Sequence, residues 1–214
     1  MAPSKPIAAV PASARRLRVV SGKSEEQQDD VELAGGLVRG EAWAATAVWN
    51  NHSPMVFAFL RRALGPDVEV EDLTQDVFLR VFSKVHELRD LGALRSFIFS
   101  VAVRSMKWEL RKRRVRRIFQ LRGFDEMPEV PVQPIDPQSR EALRHFYAIL
   151  DRLGSQERAA FALRHLEGMT LEEIAEALGI SLATVKRRLE RASRTVERCV
   201  GADPWLASYR RAAE

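Results

Sequence analysis

One segment near the carboxyl end constrains the fold more than any other, and it reads TLEEIAEALGISLATVKRRLERA from Thr170 to Ala192. Thr170 is a good N-cap, and Glu173 three positions later completes a capping box for a first helix. Gly179 can adopt the left-handed conformation that ends this helix in a sharp turn, and Ser181 then caps a second helix. The segment is therefore predicted to form a helix-turn-helix.

The two helices of this segment have distinct buried and exposed faces. The residues expected to face the core are Ile174, Ala175, Leu178, Ile180, Val185 and Leu189. The residues left for solvent or DNA are Ala183, Thr184, Lys186, Arg187, Arg188 and Arg191. A solvated basic helix in a plain hairpin is the alternative. Because the cap, the glycine and the basic second helix agree in order and spacing, DNA binding is predicted.

The rest of the chain is predicted to be helical. Upstream, apolar residues recur at spacings of three and four throughout residues 29–122. Asp29-Asp30 is expected to begin the first helix, Ser53-Pro54 to break the second and Gly65-Pro66 to end it. A further helix is expected over residues 94–114. The next apolar stripe comprises Leu73, Val77, Phe78, Val81, Phe82 and Val85.

Proline content divides the chain into two parts. The run GFDEMPEVPVQPIDPQ, residues 123–138, contains four prolines and no strand alternation, so a linker is predicted. The expected fold class is all-α, with two small helical domains joined by this proline-rich linker and a helix-turn-helix in the second. The expected ranges are a flexible tail at 1–28, domains at 29–122 and 139–202, and a tail at 203–214 that can fold back through Trp205.

Charge and cysteine content narrow the classes of function. The 214-residue chain has a formal net charge of +5, concentrated near residues 104–122 and 186–198, which favours a polyanionic partner. Cys199 is the single cysteine, so no internal disulfide is expected. The four histidines lack metal-ligand spacing, and no apolar run approaches the ~18 residues of a membrane span. A cytoplasmic protein with no metal, no cofactor and no membrane insertion is expected.

Two separate segments then resemble one known family, the extracytoplasmic-function (ECF) sigma factors of bacterial RNA polymerase. Residues 70–85, VEDLTQDVFLRVFSKV, resemble region 2.2, and residues 94–114, LRSFIFSVAVRSMKWELRKRR, resemble regions 2.3 and 2.4. The LDRL at 150–153, the Glu157-Arg158 pair and the helix-turn-helix resemble region 4. The resemblance implies a factor that binds core polymerase, recognises −10 and −35 promoter elements and promotes strand opening.

The resemblance also implies roles for individual residues. The helix of region 2.2 would lie on the clamp helices of the polymerase β′ subunit through Asp72, Gln75, Asp76 and Arg80. From the residues alone, these acids are an ordinary acidic first turn. The −10 surface would comprise Arg89, Asp90, Arg95, Arg104, Lys107, Trp108 and Arg111, with Phe97 and Phe99 as candidate stacking platforms. The spacing of Phe97, on the same face as Val101, favours a core position for it.

The same resemblance extends to the second domain and to the partners. The −35 surface would comprise Ser181, Thr184, Lys186, Arg187, Arg188 and Arg191. Core polymerase, through its β′ and β subunits, and promoter DNA are the implied partners, and many members are also held by an anti-sigma protein. Many members carry Asn where Arg104 stands, and Trp108 also departs from the usual type, so the −10 bases are not carried over. Other side-chain types are also common in the family at Arg187 and Glu190, so the −35 sequence is not carried over either.

Two other classes of protein remain as alternatives. A helix-turn-helix regulator that is not a sigma factor would need a receiver or ligand domain, and residues 30–122 show no strand alternation. A nucleic-acid enzyme would need paired carboxylates or a placed nucleophile. Glu69, Glu71, Asp72 and Asp76 cluster at one helix start without a neighbouring His or Lys, so no catalytic residue is predicted.

Overall fold

A computed structural model describes residues 22–65, 68–120, 137–204 and 206. Over these residues the chain forms helices and no strand, which confirms the all-α prediction. The helices are α1 (Gly22–Val38), α2 (Ala42–Leu64), α3 (Val70–Lys84), α4 (Leu94–Gln120), α5 (Pro137–Leu150), α6 (Ser155–His165), α7 (Leu171–Leu178) and α8 (Leu182–Ala202). Two 3-10 turns, Val85–Glu87 and Leu91–Ala93, connect α3 to α4. None of the described helices has the length and apolar character needed to span a bilayer.

Helices α1 to α4 form an N-terminal module around an aromatic and aliphatic core. Phe59 of α2 meets Phe99 of α4 edge to face, with ring centroids 5.4 Å apart, and Trp49 of α2 meets Phe78 of α3 at 5.0 Å. Both geometries are favourable for aromatic quadrupoles. Val77 of α3 is fully buried beside Phe78, so the apolar stripe read from the sequence faces the core as expected.

Helices α5 to α8 form a C-terminal module whose turn chemistry agrees with the sequence. The Thr170 hydroxyl accepts from the Glu173 backbone N–H at 3.2 Å, and the Glu173 carboxylate accepts from the Thr170 N–H at 2.7 Å. Gly179 has φ 62° and ψ 42°, and Ser181 accepts from the Thr184 N–H at 3.3 Å. The predicted capping box, left-handed turn and second cap are all confirmed.

The two modules share one hydrophobic core. Helix α6 packs on α2 and α4, and α7 packs along α4. Ala159, Ala162 and Leu163 of α6 are buried in the same cluster as the side chains of α2 and α4. The sequence separated the two domains by a linker and did not predict this contact. The described chain is therefore a single packed unit.

Three helix boundaries differ from expectation. α1 begins at Gly22, so residues 22–28 of the expected tail are helical, since Lys, Glu and Gln are good helix formers. α4 continues to Gln120 through a run of arginines, which also favour helix. α5 begins at Pro137, inside the expected linker, because proline is favoured at the first position of a helix. The expectations for residues 1–21, 121–136, 205 and 207–214 lie outside the described residues.

The predicted break at Ser53-Pro54 is wrong. α2 runs without interruption from Ala42 to Leu64, and Gly65, whose φ is 90°, is its C-cap. Pro54 lies on the exposed side of the helix, whereas Val56 and Phe59 beyond it are fully buried. Packing of that buried face outweighs the missing N–H and the steric cost of the ring, about 3 kcal/mol in a helix interior.

Replacing this proline provides a test of the continuous helix. We expect Pro54→Ala to raise the free energy of unfolding by about 1 to 2 kcal/mol, because it restores a helical donor and removes a clash. Part of that gain is offset by greater freedom of the unfolded chain. Urea denaturation measures the change. Asn51→Ala, at an exposed position of the same helix, is the control, with about 0.5 kcal/mol or less expected. An effect of Pro54→Ala no larger than the control contradicts a continuous α2.

Candidate nucleic-acid interface

Helix α8 presents a basic surface because its apolar residues face inward. Val185 and Ala192 are fully buried, while Lys186, Arg187 and Arg191 are exposed. Arg187 is placed over the helix start, where its guanidinium donates to the Thr184 hydroxyl at 3.4 Å. The exposed guanidinium and ammonium groups can contact phosphates or base edges in a groove. Three of the six predicted −35 residues thus project from one helix.

The remaining residues of that set have a different setting. Ser181 and Thr184 form the cap of α8, with hydroxyl oxygens 2.9 Å apart. Arg188 is half-buried, and its charge helps to lower the pKa of Lys107 of α4. Burial is the larger cause of that lowered pKa, and Arg104 is a third. Lys107 also donates to Gln156 of α6 at 2.9 Å.

Helix α4 carries the second basic surface. Arg104 and Arg111 are exposed, and Arg104 donates to the Ser100 hydroxyl at 3.4 Å. Trp108 is 51% exposed, and the Lys112 ammonium lies 5.0 Å from its ring centroid. An exposed aromatic face among cations is a suitable surface for stacking a base. Trp108, which departs from the family pattern, therefore presents an accessible ring on α4.

The turn before α4 adds residues to this surface. Arg89 and Asp90 are exposed, and the Asp90 carboxylate accepts from the Gly92 N–H at 2.9 Å, which caps the 3-10 turn. The Arg95 guanidinium lies 5.8 Å from the centre of the Phe99 ring. Four of the predicted −10 residues, Arg89, Asp90, Arg104 and Lys107, therefore line one cavity, whereas Arg95 lies over Phe99 and pairs with Glu173 of α7.

The two candidate stacking residues have different environments. Phe99 is fully buried against Phe59, so its assignment as a stacking platform is wrong, because both faces are enclosed by the core. Phe97 is partly buried and packs on the core, as its spacing with Val101 indicated. Phe97 also lines an open cavity of about 380 Å³. Of the two, only Phe97 has an accessible ring face.

Helix α3 exposes a separate, mixed surface. Asp72, Gln75, Asp76 and Arg80 are all exposed on its outer side, and the Arg80 guanidinium lies 4.0 Å from the Asp76 carboxylate. Leu79, which the sequence reading did not single out, is 67% exposed on the same side. An apolar residue seven positions after Asp72 falls on the polar stripe of a helix, and that signal could have identified it.

The carboxyl end of α2 joins the two modules and was also missed. Arg158 of α6 is 2% exposed, donates to the Ala63 carbonyl at 2.7 Å and pairs with Asp151 at 2.6 Å. Arg62 donates to the Leu166 carbonyl at 3.1 Å and lies 3.2 Å from the Glu167 carboxylate. Burial raises the pKa of Glu167, while Arg62 and Arg95 oppose that shift.

Helix α5 fixes the far end of α8. The His145 Nδ1 lies 2.6 Å from the Asp203 carboxylate at the C-cap of α8, and its Nε2 lies 3.4 Å from Glu141. The hydrogen bond with Asp203 raises the pKa of His145, with further contributions from the charges of Asp203 and Glu141. Protonated His145 therefore holds α5 against the end of the basic helix.

Comparison with known proteins identifies this arrangement. Residues 48–116 match the family model for sigma-70 region 2, and residues 143–196 match that for sigma-70, region 4. The ferric citrate uptake sigma factor FecI of Escherichia coli is 31% identical over 156 residues, covering 72% of this chain and 87% of FecI. The ECF RNA polymerase sigma factor SigX of Bacillus subtilis is 26% identical over 145 residues, covering 65% of this chain and 74% of SigX.

Solved structures agree on the fold. The structure of CnrH in complex with the cytosolic domain of CnrY matches with a TM-score of 0.59 and 22% identity, covering 81% of this chain and 98% of that one. The sigma factor RpoE in complex with the anti-sigma factor NepR from Bartonella quintana matches with a TM-score of 0.53 and 23% identity, covering 74% and 97%.

The chain belongs to the sigma-70 family of RNA polymerase sigma factors. Within that family it is of the extracytoplasmic-function type, with the region 2 match lying in α2 to α4 and the region 4 match in α5 to α8. It is a transcription initiation factor that acts with core RNA polymerase on promoter DNA.

The His145 contact predicts how stability depends on pH. Because the folded pKa is raised above about 6.5, the contribution is fully present below that value and is lost as pH rises through the folded pKa. We expect the difference in unfolding free energy between wild type and His145→Gln to be larger at pH 6 than at about pH 8.5. Urea denaturation at both pH values measures it, with His86→Gln, at an exposed position, as the control. A difference that does not shrink contradicts the contact.

Proposed function

We propose that this factor assigns its three exposed surfaces to three targets. α8 reads the −35 element, α4 with its preceding turn reads and opens the −10 element, and the outer side of α3 docks on core polymerase. The observation that carries the proposal is that two basic surfaces and one mixed surface project from different helices of one chain. Its role is to position polymerase and open DNA, without catalysis of its own. Such a factor works in the cytoplasm, with the nucleoid when it is bound to polymerase.

The −35 assignment follows from the chemistry of α8. A helix in the second position of a helix-turn-helix enters the major groove through residues near its amino end. Lys186 and Arg187 are exposed there, with Arg191 one turn further along, and Arg can donate two bonds to one guanine. Ser181 and Thr184 lie at the helix start, where hydroxyls and backbone N–H groups suit a phosphate. Arg188, half-buried in this structure, is the sixth residue of the set.

The −10 assignment follows from the combination of flat and cationic groups. Opening a duplex requires a base to be unstacked at a cost of a few kcal/mol, which stacking on a protein surface can offset. Trp108 and the partly buried Phe97 offer such surfaces. The cations beside them, which would follow the strand backbone, are Arg89, Arg95, Arg104, Lys107 and Arg111. Asp90 orders the turn through its bond to Gly92.

Leu79 is an apolar residue within the surface of α3 that we assign to polymerase. Leu79 lies beside Asp76 with two thirds of its surface exposed, although large apolar residues at such positions are usually buried. A central apolar contact ringed by Asp72, Gln75 and Arg80 has the form of a small protein interface. The family resemblance directs this face to the β′ clamp helices, with further contact to the β subunit.

An anti-sigma protein is a further partner in this proposal. The CnrH and RpoE structures that match this fold were both solved with a bound partner, the cytosolic domain of CnrY and the anti-sigma factor NepR respectively. A factor of the same family and fold has surfaces on which a partner of this kind could act. Co-purification from cells, followed by a transcription assay with and without the co-purified protein, tests this part of the proposal.

The test of the function is reconstituted transcription. Core polymerase with this chain is expected to give discrete run-off products from a library of genomic promoter fragments, and core alone is not. Gel filtration of the same mixture is expected to show a stable complex with core. If the chain binds DNA but forms no complex with core and gives no promoter-dependent products, the result favours a helix-turn-helix regulator that is not a sigma factor.

The polymerase surface can be tested by reversing one charge. We expect Asp76→Arg to weaken binding to core polymerase at least tenfold, because a charge complementary to the partner becomes repulsive. Fluorescence anisotropy of the labelled chain titrated with core measures the affinity. Glu32→Arg changes the net charge equally at an exposed position of α1 and is expected to leave binding to core unaltered. Equal losses in both variants contradict the assignment of the α3 face.

The −35 surface can be tested by salt dependence. Log affinity falls with log salt concentration, and we expect Arg187→Ala and Arg191→Ala each to make this negative slope shallower by about one, as the loss of a phosphate contact does. Holoenzyme binding to a promoter fragment, measured between about 50 and 200 mM salt, gives the slope. Arg144→Ala on α5 removes an exposed cation of the same module and is the control. An unchanged slope in the α8 variants places these residues away from DNA.

A further inference from the structure

A second cavity lies between α4 and the start of α6, and positive charge dominates its walls. Its volume is about 140 Å³. Of the charged side chains that line it, five are cationic and one, Asp151, is anionic. The cations are Lys107, Arg111, Arg113 and Arg114 of α4 and Arg158 of α6. The walls therefore carry an excess of positive charge around one small space.

Two of these cations have partners within the fold. Arg158 lies 2.6 Å from the Asp151 carboxylate, and Arg113 lies 3.7 Å from the Glu109 carboxylate. Both guanidiniums also donate to carbonyl groups at the carboxyl end of α2. The folded chain accounts for these two charges, so the excess comes from the other three cations.

The Lys107 ammonium is half-buried among cations. Its nearest polar partner is neutral, since it donates to the side-chain oxygen of Gln156 at 2.9 Å. Burial is the largest cause of its lowered pKa, and the charges of Arg188 and Arg104 lower it further. Among the described residues, no carboxylate is a cause that opposes this shift. An anion placed beside Lys107 would therefore interact favourably with several charges at once.

The open side of the cavity has two further cations. Arg111 and Arg114 are exposed there, and within the described part of the chain neither guanidinium forms an ion pair with a carboxylate. Ser155, the first residue of α6, lines the cavity as well and adds a hydroxyl donor. Ammonium, guanidinium and hydroxyl groups are the donors that bind phosphate oxygens through charge-assisted hydrogen bonds.

The size of the cavity limits what it can hold. Sites for drug-sized ligands have volumes of about 300 to 1,000 Å³, and this cavity has less than half of the lower value. A phosphate or diphosphate group fits such a space, whereas a base and sugar would remain outside. A phosphate within a DNA strand carries a sugar on both sides, so it is poorly suited to a small cavity with buried walls. The volume thus favours a terminal phosphate group.

We propose that this cavity is a binding site for a phosphate or diphosphate group with free terminal oxygens, either as an inorganic ion or as the end of a nucleotide. Lys107 and Arg114 hold the anion, Arg111 adds charge at the open side, and Ser155 donates from α6. The proposal goes beyond the function proposed above and does not depend on it, because binding requires neither polymerase nor a promoter.

Calorimetric titration of the full chain with inorganic pyrophosphate tests the site. In a phosphate-free buffer of about 50 mM salt, we expect one site per chain with a dissociation constant below about 1 mM. Bound pyrophosphate is also expected to raise Tm, because it binds the folded chain and not the unfolded one. If neither saturable heat nor a rise in Tm is observed, the proposal is wrong.

Substitutions of single cations test where the anion binds. We expect Lys107→Gln and Arg114→Gln each to weaken pyrophosphate binding about tenfold, since each removes one charge-assisted hydrogen bond. Lys107→Arg keeps the charge and is expected to stay within about threefold of wild type. Arg198→Gln removes the same charge at an exposed position of α8 and is the control. Losses no larger than that of the control contradict the site.

A carboxylate built into the cavity tests the same point from the opposite wall. We expect Ser155→Asp to abolish pyrophosphate binding, because its charge repels the ligand and pairs with the cations. The variant is expected to fold, since Asp is favourable in the first turn of a helix. Ser155→Asn has nearly the same shape without the charge and is expected to bind within about threefold of wild type. Unaltered binding by Ser155→Asp places the anion elsewhere and overturns the proposal.

Different phosphate compounds distinguish the source of the group. Inorganic phosphate, pyrophosphate and a nucleoside triphosphate are compared in the wild type and in Lys107→Gln. The one that binds most tightly identifies the source, and a loss of its affinity in the variant supports the site. A short DNA strand of mixed sequence is the fourth ligand. If only the strand depends on Lys107 and Arg114, these cations serve DNA alone and the proposal is overturned.

The Lys107 ammonium itself reports whether the cavity is occupied. A bound anion favours its charged form, so saturating pyrophosphate is expected to raise the lowered pKa of Lys107. Titration by NMR of labelled lysine, with Lys107→Arg to assign the signal, measures the change. Lys84, on α3, is the internal control and is expected to keep its pKa. A Lys107 pKa that does not rise while pyrophosphate is bound contradicts the proposed site.

Discussion

The carbonyl groups at the carboxyl end of α2 need donors from elsewhere, because the last turn of a helix leaves them without partners of its own. Arg158 of α6 donates to the Ala63 carbonyl at 2.7 Å, and Arg113 of α4 donates to the Leu64 carbonyl at 3.0 Å. Tyr147 of α5 packs so closely on Gly65 that a Cβ there would lie 3.2 Å from its ring. One helix end thereby fixes the positions of three other helices.

The placement of the functional surfaces follows from this junction. With α6 held on α2, the short connection to α7 brings its carboxylates onto the amino end of α4, and α8 follows beside them. The ion pair of Arg95 with Glu173 is about one third exposed and 3.8 Å long, so it contributes only about 0 to 1 kcal/mol and does not by itself hold the modules together. The buried Arg158 and the shared apolar core supply the larger part of the contact.

The sequence predicts features whose causes are local, and it misses those that depend on distant partners. Thr170, Gly179 and Ser181 act within four residues of themselves, and all three are found as expected. Ser96 and Glu176 lie 80 residues apart, so neither spacing nor propensity could pair them. The prediction of Phe99 as a stacking platform fails for the same reason, because only the folded core shows that both faces of its ring are enclosed. The roles of individual residues toward DNA and polymerase remain predictions.

Glu173 makes one contact within its own helix start and one contact with a residue distant in sequence. Its carboxylate accepts from the Thr170 N–H at 2.7 Å within its own capping box, and it also lies 3.8 Å from Arg95 across the junction. Loss of the second contact leaves the first in place, because the capping bond lies entirely within α7. The helix-turn-helix therefore owes its cap to α7 itself and not to the contact with α4.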